Sequence, residues 1–237
     1  MGKEVNLGGF MSETLALIRD NGREFAIFVI LLSGLNTVGL MLGFVEPNDQ
    51  IGGFNYGVSV NGSAGVPAFF YQLLVAVVSI VATYFLLTRY LASRNLLSDG
   101  NTRIWAYFGM MILTILGMMA GLLLLIVPGL ILIVRWSASS GYLIGERKGV
   151  VVSLGASWDA TRGHSWPIFF AGLILIVGLG VLSGLTVGLL GVANVDWLAV
   201  SISAMVEATG NGVFLAFGIA VYSLVGDPIE STTDVFE

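Results

Sequence analysis

The chain contains no cysteine, which excludes disulfides, thiolate nucleophiles and cysteine-built metal sites. It has a single histidine, His164. No grouping of His and carboxylates has metal-ligand spacing. Charge is scarce as well. Asp, Glu, Lys and Arg make up 11% of the residues, against 56% hydrophobic ones and a mean hydropathy of +0.92. A soluble domain carries about a quarter charged residues. Such a chain cannot cover a globular surface with polar groups, so lipid must be its solvent. No basic stripe or motif is present, which argues against nucleic acid as a partner. The net charge of -5 says little about partners. Asp227, Glu230, Asp234 and Glu237 account for most of it and lie in the last eleven residues.

Lysine and arginine are also missing from every second connection between apolar runs. Six runs are expected as membrane spans, at about 25–45, 67–87, 104–126, 127–144, 166–190 and 197–225. Lys3, Arg19 and Arg23 precede the first. Arg89, Arg94 and Arg103 lie between the second and third, and Arg147, Lys148 and Arg162 between the fourth and fifth. The alternate connections contain none. This positive-inside pattern predicts a polytopic protein with both termini cytoplasmic. The polar, amphipathic first 24 residues do not read as a cleavable signal peptide, so the N-terminus is expected to be retained.

A helix needs about 20 residues to cross a ~30 Å hydrocarbon core, and the fourth run is short. A tight turn is expected at Val127-Pro128-Gly129. The sixth run contains Thr209-Gly210-Asn211-Gly212, where a kink or short unwound stretch is expected if neighbours satisfy the freed backbone. Trp105, Trp166 and Trp197 lie at run ends, as interfacial anchors do. Small residues recur at a spacing of four: Gly180, Gly184 and Gly188 in the fifth run, Gly117 and Gly121 in the third, Gly39 and Gly43 in the first. Such faces let helices approach closely. They read as packing within the chain or as a homodimer face.

Two segments have the 3.6-residue period of interfacial helices. One carries Leu7, Phe10, Met11, Thr14, Leu17 and Ile18 on one face. The other carries Val151, Leu154, Gly155 and Trp158, with Asp159 and Arg162 outside that face. Each leads into a span, which hints at a weak internal repeat. The expected organisation is an interfacial helix in 1–24, an all-α six-span bundle in 25–226 with a second interfacial helix at about 149–164, and an acidic cytoplasmic tail in 227–237. The outer segment 46–66 reads as a loop with a short extended piece at 56–60. It contains Asn61-Gly62-Ser63, a glycosylation sequon only in a secretory pathway.

The spans hold one acid, Glu207, and one base, Arg135. Counting ~1.5 Å per residue from the outer face places them at similar depth. Each heads a polar stripe: Arg135, Ser139 and Tyr142, and Ser203, Glu207 and Asn211. Asn36 in the first span could join them. One reading is a mid-depth polar site for a headgroup or solute. The other is an ion pair fixing two helices, since pairing removes much of the cost of a charge in hydrocarbon. Asp159, Arg162 and His164 could bind a phosphate or form an ordinary solvated junction. No nucleophile elbow, P-loop or dinucleotide fingerprint occurs in a credible context.

From Pro128-Gly129 an apolar run leads to Arg135. Glu146, Gly149, Ser157-Trp158, Arg162-Gly163 and Trp166 follow. This stretch resembles the YciC-like membrane proteins and the membrane domain fused to some bacterial glycerophosphodiester phosphodiesterases. Gly155, and the lack of an arginine after Tyr222-Ser223-Leu224, depart from the family pattern. The resemblance implies a bacterial inner-membrane protein without the soluble catalytic domain. The expectation is a non-enzymatic, cofactor-free multi-pass protein acting by contacts with membrane lipids, other membrane proteins or a second copy of itself, as a scaffold, complex subunit or lipid-binding module. The alternative is a transporter or lipid-handling channel built on Arg135 and Glu207.

Overall fold

The computed structural model describes residues 5–44, 65–124, 126–192 and 196–226. Among them every regular element is a helix. In chain order these are α1 (Leu7–Asp20), α2 (Gly22–Met41), α3 (Gly65–Ala92), α4 (Ile104–Leu124), α5 (Ile126–Arg135), α6 (Ser139–Ile144), α7 (Val150–Ala160), α8 (Ser165–Val192) and α9 (Asp196–Val225). The 56–60 segment, the sequon, Lys3 and the acidic 227–237 tail lie outside the described residues. Six helical stretches are long and apolar enough to cross a membrane: Gly22–Met41, Gly65–Ala92, Ile104–Leu123, Val127–Ile144, Ser165–Thr186 and Ser201–Val225. Only 11% of the Ser165–Thr186 window is buried within the protein, so its apolar side chains need a non-aqueous solvent. The chain is an all-α, multi-pass membrane protein.

The chain divides into two compact units. The first comprises Met1–Asn21, Leu87–Gly172 and Leu215–Glu237, and the second Gly22–Leu86 and Leu173–Phe214. In the first unit, α1 starts because the Asn6 side chain accepts a hydrogen bond from Gly9 N (2.7 Å), a regular N-cap. Phe10, Thr14 and Leu17 form its buried stripe. The apolar face expected in the membrane interface is thus largely spent on protein packing, while Leu15 remains 63% exposed. Asn21 Nδ2 ties the C-terminus of α1 to Ser93 Oγ (3.0 Å). Arg94 reaches Glu13 through Nε (2.6 Å) and Asp20 through Nη1 (2.7 Å). Burial opposes the charge on Arg94, but bonds to two carboxylates outweigh it and hold its pKa above the usual arginine value.

The tight turn expected at Val127-Pro128-Gly129 does not occur there. Val127-Pro128-Gly129 is the first turn of α5, not the connection. Proline's fixed φ is helical, and its missing N–H costs nothing in a first turn. Gly121 and Gly129 give the close approach: a Cβ on Gly121 would lie 3.1 Å from Gly129 Cα.

In the second unit, Tyr71 donates its hydroxyl hydrogen bond to Leu35 O, and Gln72 Nε2 donates to Phe44 O (3.1 Å), joining α2 to α3. The unwound stretch expected at Thr209-Gly210-Asn211-Gly212 does not occur, since α9 is continuous through it. Gly212 instead makes room for Phe25, whose Cε2 would lie 2.6 Å from an added Cβ.

Candidate functional site: the broken fourth span

The discontinuity lies in the fourth span. After Arg135 the helix gives way to a turn at residues 136–138 and resumes as α6. Within the membrane, freed backbone groups need internal partners, and α7 supplies them. Ser157 Oγ donates to Arg135 O (2.7 Å) and accepts from Ala138 N (3.2 Å). Thr161 Oγ1 stands behind it, 2.8 Å from Ser157 O and 3.5 Å from Arg135 O. Ser137 Oγ donates to Val134 O (2.8 Å). Ser153, Ser157 and Thr161 are fully buried, so the inner face of α7 is a row of hydroxyls at i, i+4 and i+8.

The apolar face expected for α7 is a separate one, and only part of it is buried. Leu154 is buried, but Val151 is 71% exposed and a Cβ on Gly155 would meet nothing within 4 Å. Apolar periodicity picks out Val151/Leu154/Gly155/Trp158 because it counts serine as polar and outward. Here the serines turn inward to meet the broken span. Gly163, at φ +88°, makes the left-handed turn from α7 towards α8 that a side chain would disfavour.

Arg135 ends α5, where a cation is favoured by the helix dipole. Its Nη1 donates to Trp158 O (3.3 Å), and its guanidinium carbon lies 5.4 Å from the centroid of the Trp158 ring. Within its own unit, and among the described residues, these neutral groups are its compensation. Arg135, Ser139 and Tyr142 do not form one helical stripe, because the turn intervenes and the spacing of four no longer means one face. Ser139 and Tyr142 are buried on α6. Asn36 on α2 and Ser203, Glu207 and Asn211 on α9 belong to the second unit and are half-buried. Glu207 therefore falls in a different unit from Arg135.

The other end of α6 is capped by charge. Arg103 Nη1 donates to Leu143 O (3.2 Å) and Lys148 O (2.8 Å). Tyr222 donates to Glu146 Oε1 (3.1 Å), while Lys148 Nζ lies 2.7 Å from Glu146 Oε2 and 4.8 Å from the centre of the Tyr142 ring. Tyr142 and Tyr222 meet edge to face at 4.9 Å, and Gly141 leaves the space that the Tyr222 ring fills. Composition gave no hint of this cluster, whose residues lie outside the spans or at their ends.

Asp159 and Arg162 form an exposed pair at 3.7 Å. His164 Nδ1 is buried with no hydrogen-bond partner among the described residues. The glycine rows differ from one another. A Cβ on Gly117 would meet the Trp136 ring at 2.5 Å, and one on Gly121 would meet Leu132 Cδ1 at 2.8 Å. Among the described residues, one on Gly180, Gly184 or Gly188 would meet nothing within 4 Å. Beside the α4 row lies an open cleft of about 380 Å³, lined by Gly117, Ala120, Gly121, Pro128, Ile131, Leu132 and Trp158.

The fold and this site define a helical membrane protein whose fourth span is interrupted and stapled by a short hydroxyl-lined helix. Comparison with protein-family models, curated proteins and solved structures finds no match.

Proposed function

We propose that this is a non-enzymatic multi-pass protein of a bacterial cytoplasmic (inner) membrane, with both termini cytoplasmic. It acts through lipid or protein contacts as a scaffold, complex subunit or lipid-binding module. The observation that carries this reading is the employment of the polar side chains around the broken span. Ser157, Thr161, Arg103, Glu146 and Lys148 are bonded to backbone or to one another. The orientation rests on charge: Arg19, Arg89, Arg94, Arg103, Arg135, Arg147, Lys148 and Arg162 belong to the unit that contains α1 and the end of α9, and Arg23 to the other. The bacterial assignment rests on the YciC-like stretch. The exposed Leu15, Val151 and Val152 support α1 and α7 as helices lying in the interface.

Purification in native membrane discs followed by mass spectrometry tests this reading, with a stably retained lipid or partner protein as the expected result. Turnover of a phospholipid or glycerophosphodiester by the pure chain, abolished in His164→Ala or Glu207→Gln, would refute it. The interrupted fourth span also favours a second reading, since transporters build binding sites on discontinuous helices. Proton-coupled or electrogenic uptake in proteoliposomes, lost in Glu207→Gln, would establish that alternative.

A further inference from the structure

We propose that the cleft between α4 and α5 is a binding site for one anionic phospholipid, with an acyl chain along the cleft and the lipid phosphate on Arg135. This rests on the reading that the chain works through lipid contacts, and adds the site and the headgroup charge. Gly117, Ala120 and Gly121 occupy one face of α4 at i, i+3 and i+4; Trp136 and Leu132 pack into the two glycine notches, and the furrow that stays open lies beside them, at exposed Ala120. Pro128, Ile131 and Leu132 form the facing wall on α5. A furrow of hydrocarbon character suits a hydrocarbon chain.

Charge selects the headgroup. Trp158 lines the cleft and also carries the Arg135 guanidinium over its ring, 5.4 Å from the centroid. A guanidinium offers five N–H donors, and the Trp158 carbonyl takes one of them. A carbonyl and an aromatic face attract the cation without neutralising it. A full positive charge held on the tryptophan that lines the cleft calls for an anion, and a phosphate matches the planar donor fork of arginine. Free phosphate would satisfy the charge but leave the furrow bare. A zwitterionic lipid would fill the furrow but bring its own cation to Arg135.

The test uses the full chain in detergent, titrated with dioleoyl phosphatidylglycerol and with dioleoyl phosphatidylcholine, bound lipid being counted by native mass spectrometry. Phosphatidylglycerol should bind at least about tenfold more tightly. Arg135→Met should erase that preference, and Arg135→Lys should keep part of it. Ala120→Phe, at an exposed position on the cleft, should weaken both lipids without touching the charge, and it remains informative if Arg135→Met fails to fold. Unchanged phosphatidylglycerol affinity in Ala120→Phe or Arg135→Met would overturn the site, as would displacement of the lipid by millimolar inorganic phosphate alone. Equal binding of the two lipids by the wild type would also overturn it while leaving the broader lipid-contact reading intact. A chain that retains neither lipid nor partner from native discs would overturn both.

Discussion

Ser157→Ala removes one oxygen and should unfasten the fourth span. Its hydroxyl bonds two backbone groups freed by the break, Arg135 O at 2.7 Å and Ala138 N at 3.2 Å, and the side chain is fully buried. The two losses are unequal. Ala138 N, also fully buried, loses its partner, and an orphaned buried donor costs about 1–3 kcal/mol. Arg135 O keeps Thr161 Oγ1 at 3.5 Å as a fallback, so that loss should be nearer the ~0.6 kcal/mol typical of hydrogen bonds between membrane helices. Together they give about 1.6–3.6 kcal/mol. Ser153→Ala is the matched control. Ser153 is equally buried on the same helix, but its hydroxyl bonds only Gly149 O, four residues back, so its removal should cost less than about 1 kcal/mol. Because Thr161 can take over at Arg135 O, Ser157→Ala with Thr161→Val should cost more than the sum of the single changes. Reversible unfolding by denaturing detergent, followed by far-UV circular dichroism, gives all four values. Equal costs for Ser153→Ala and Ser157→Ala, within about 0.5 kcal/mol, would refute the claim that α7 staples the break.

Other outcomes follow from the charge pattern of the sequence and from the packing. Single cysteines in this cysteine-free chain should label with an impermeant thiol reagent in intact cells at Ser59 and Asn194, but not at Ser98 or Val152; labelling at Ser98→Cys would invert or break the topology. Arg94→Met should release α1 at a cost of about 1–3 kcal/mol, most of it from the bond to Glu13, because the Asp20 side chain is 49% exposed and its pairing is screened; hydrogen exchange in α1 that matches the wild type would contradict this. Since the folded Arg94 pKa is raised, its contribution is complete below the unfolded arginine value and is lost only as pH rises through the folded one. Alkaline exposure to about pH 10 should therefore leave α1 protected from exchange. Gly141→Ala should destabilise by about 1–3 kcal/mol because the Tyr222 ring occupies the space of the new methyl, whereas Gly155→Ala, which meets nothing, should stabilise by about 0.5–1 kcal/mol; thermal melts that rank the two the other way would sink the packing argument.

The six spans are legible in the sequence because each is a long apolar run, and hydropathy responds to little else. The α4–α5 hairpin is legible too, with Pro128 and Gly129 displaced from the turn into the first turn of α5. The break at 136–138 is not legible, because Trp136, Ser137 and Ala138 carry no Gly or Pro signal. What interrupts the helix lies about 20 residues further on, in hydroxyls that capture its backbone. The Gly-Asn-Gly run of α9 looks like a break and is a packing notch for Phe25. Arg135 is visible as a costly charge, but the partner it meets within its own unit is Trp158 of α7, which a search for opposite charges passes over.

The staple also sets an order of events during synthesis. The hydroxyl that satisfies Arg135 O is 22 residues downstream, and at ~5–20 residues per second the ribosome delivers it roughly one to four seconds later. Until it arrives nothing on the nascent chain captures that backbone, so the fourth span can close its own helical bonds and enter the membrane unbroken. The break is thus made by the segment synthesised after it, and a nascent chain ending between residues 145 and 156 should still carry its fourth span as one continuous helix.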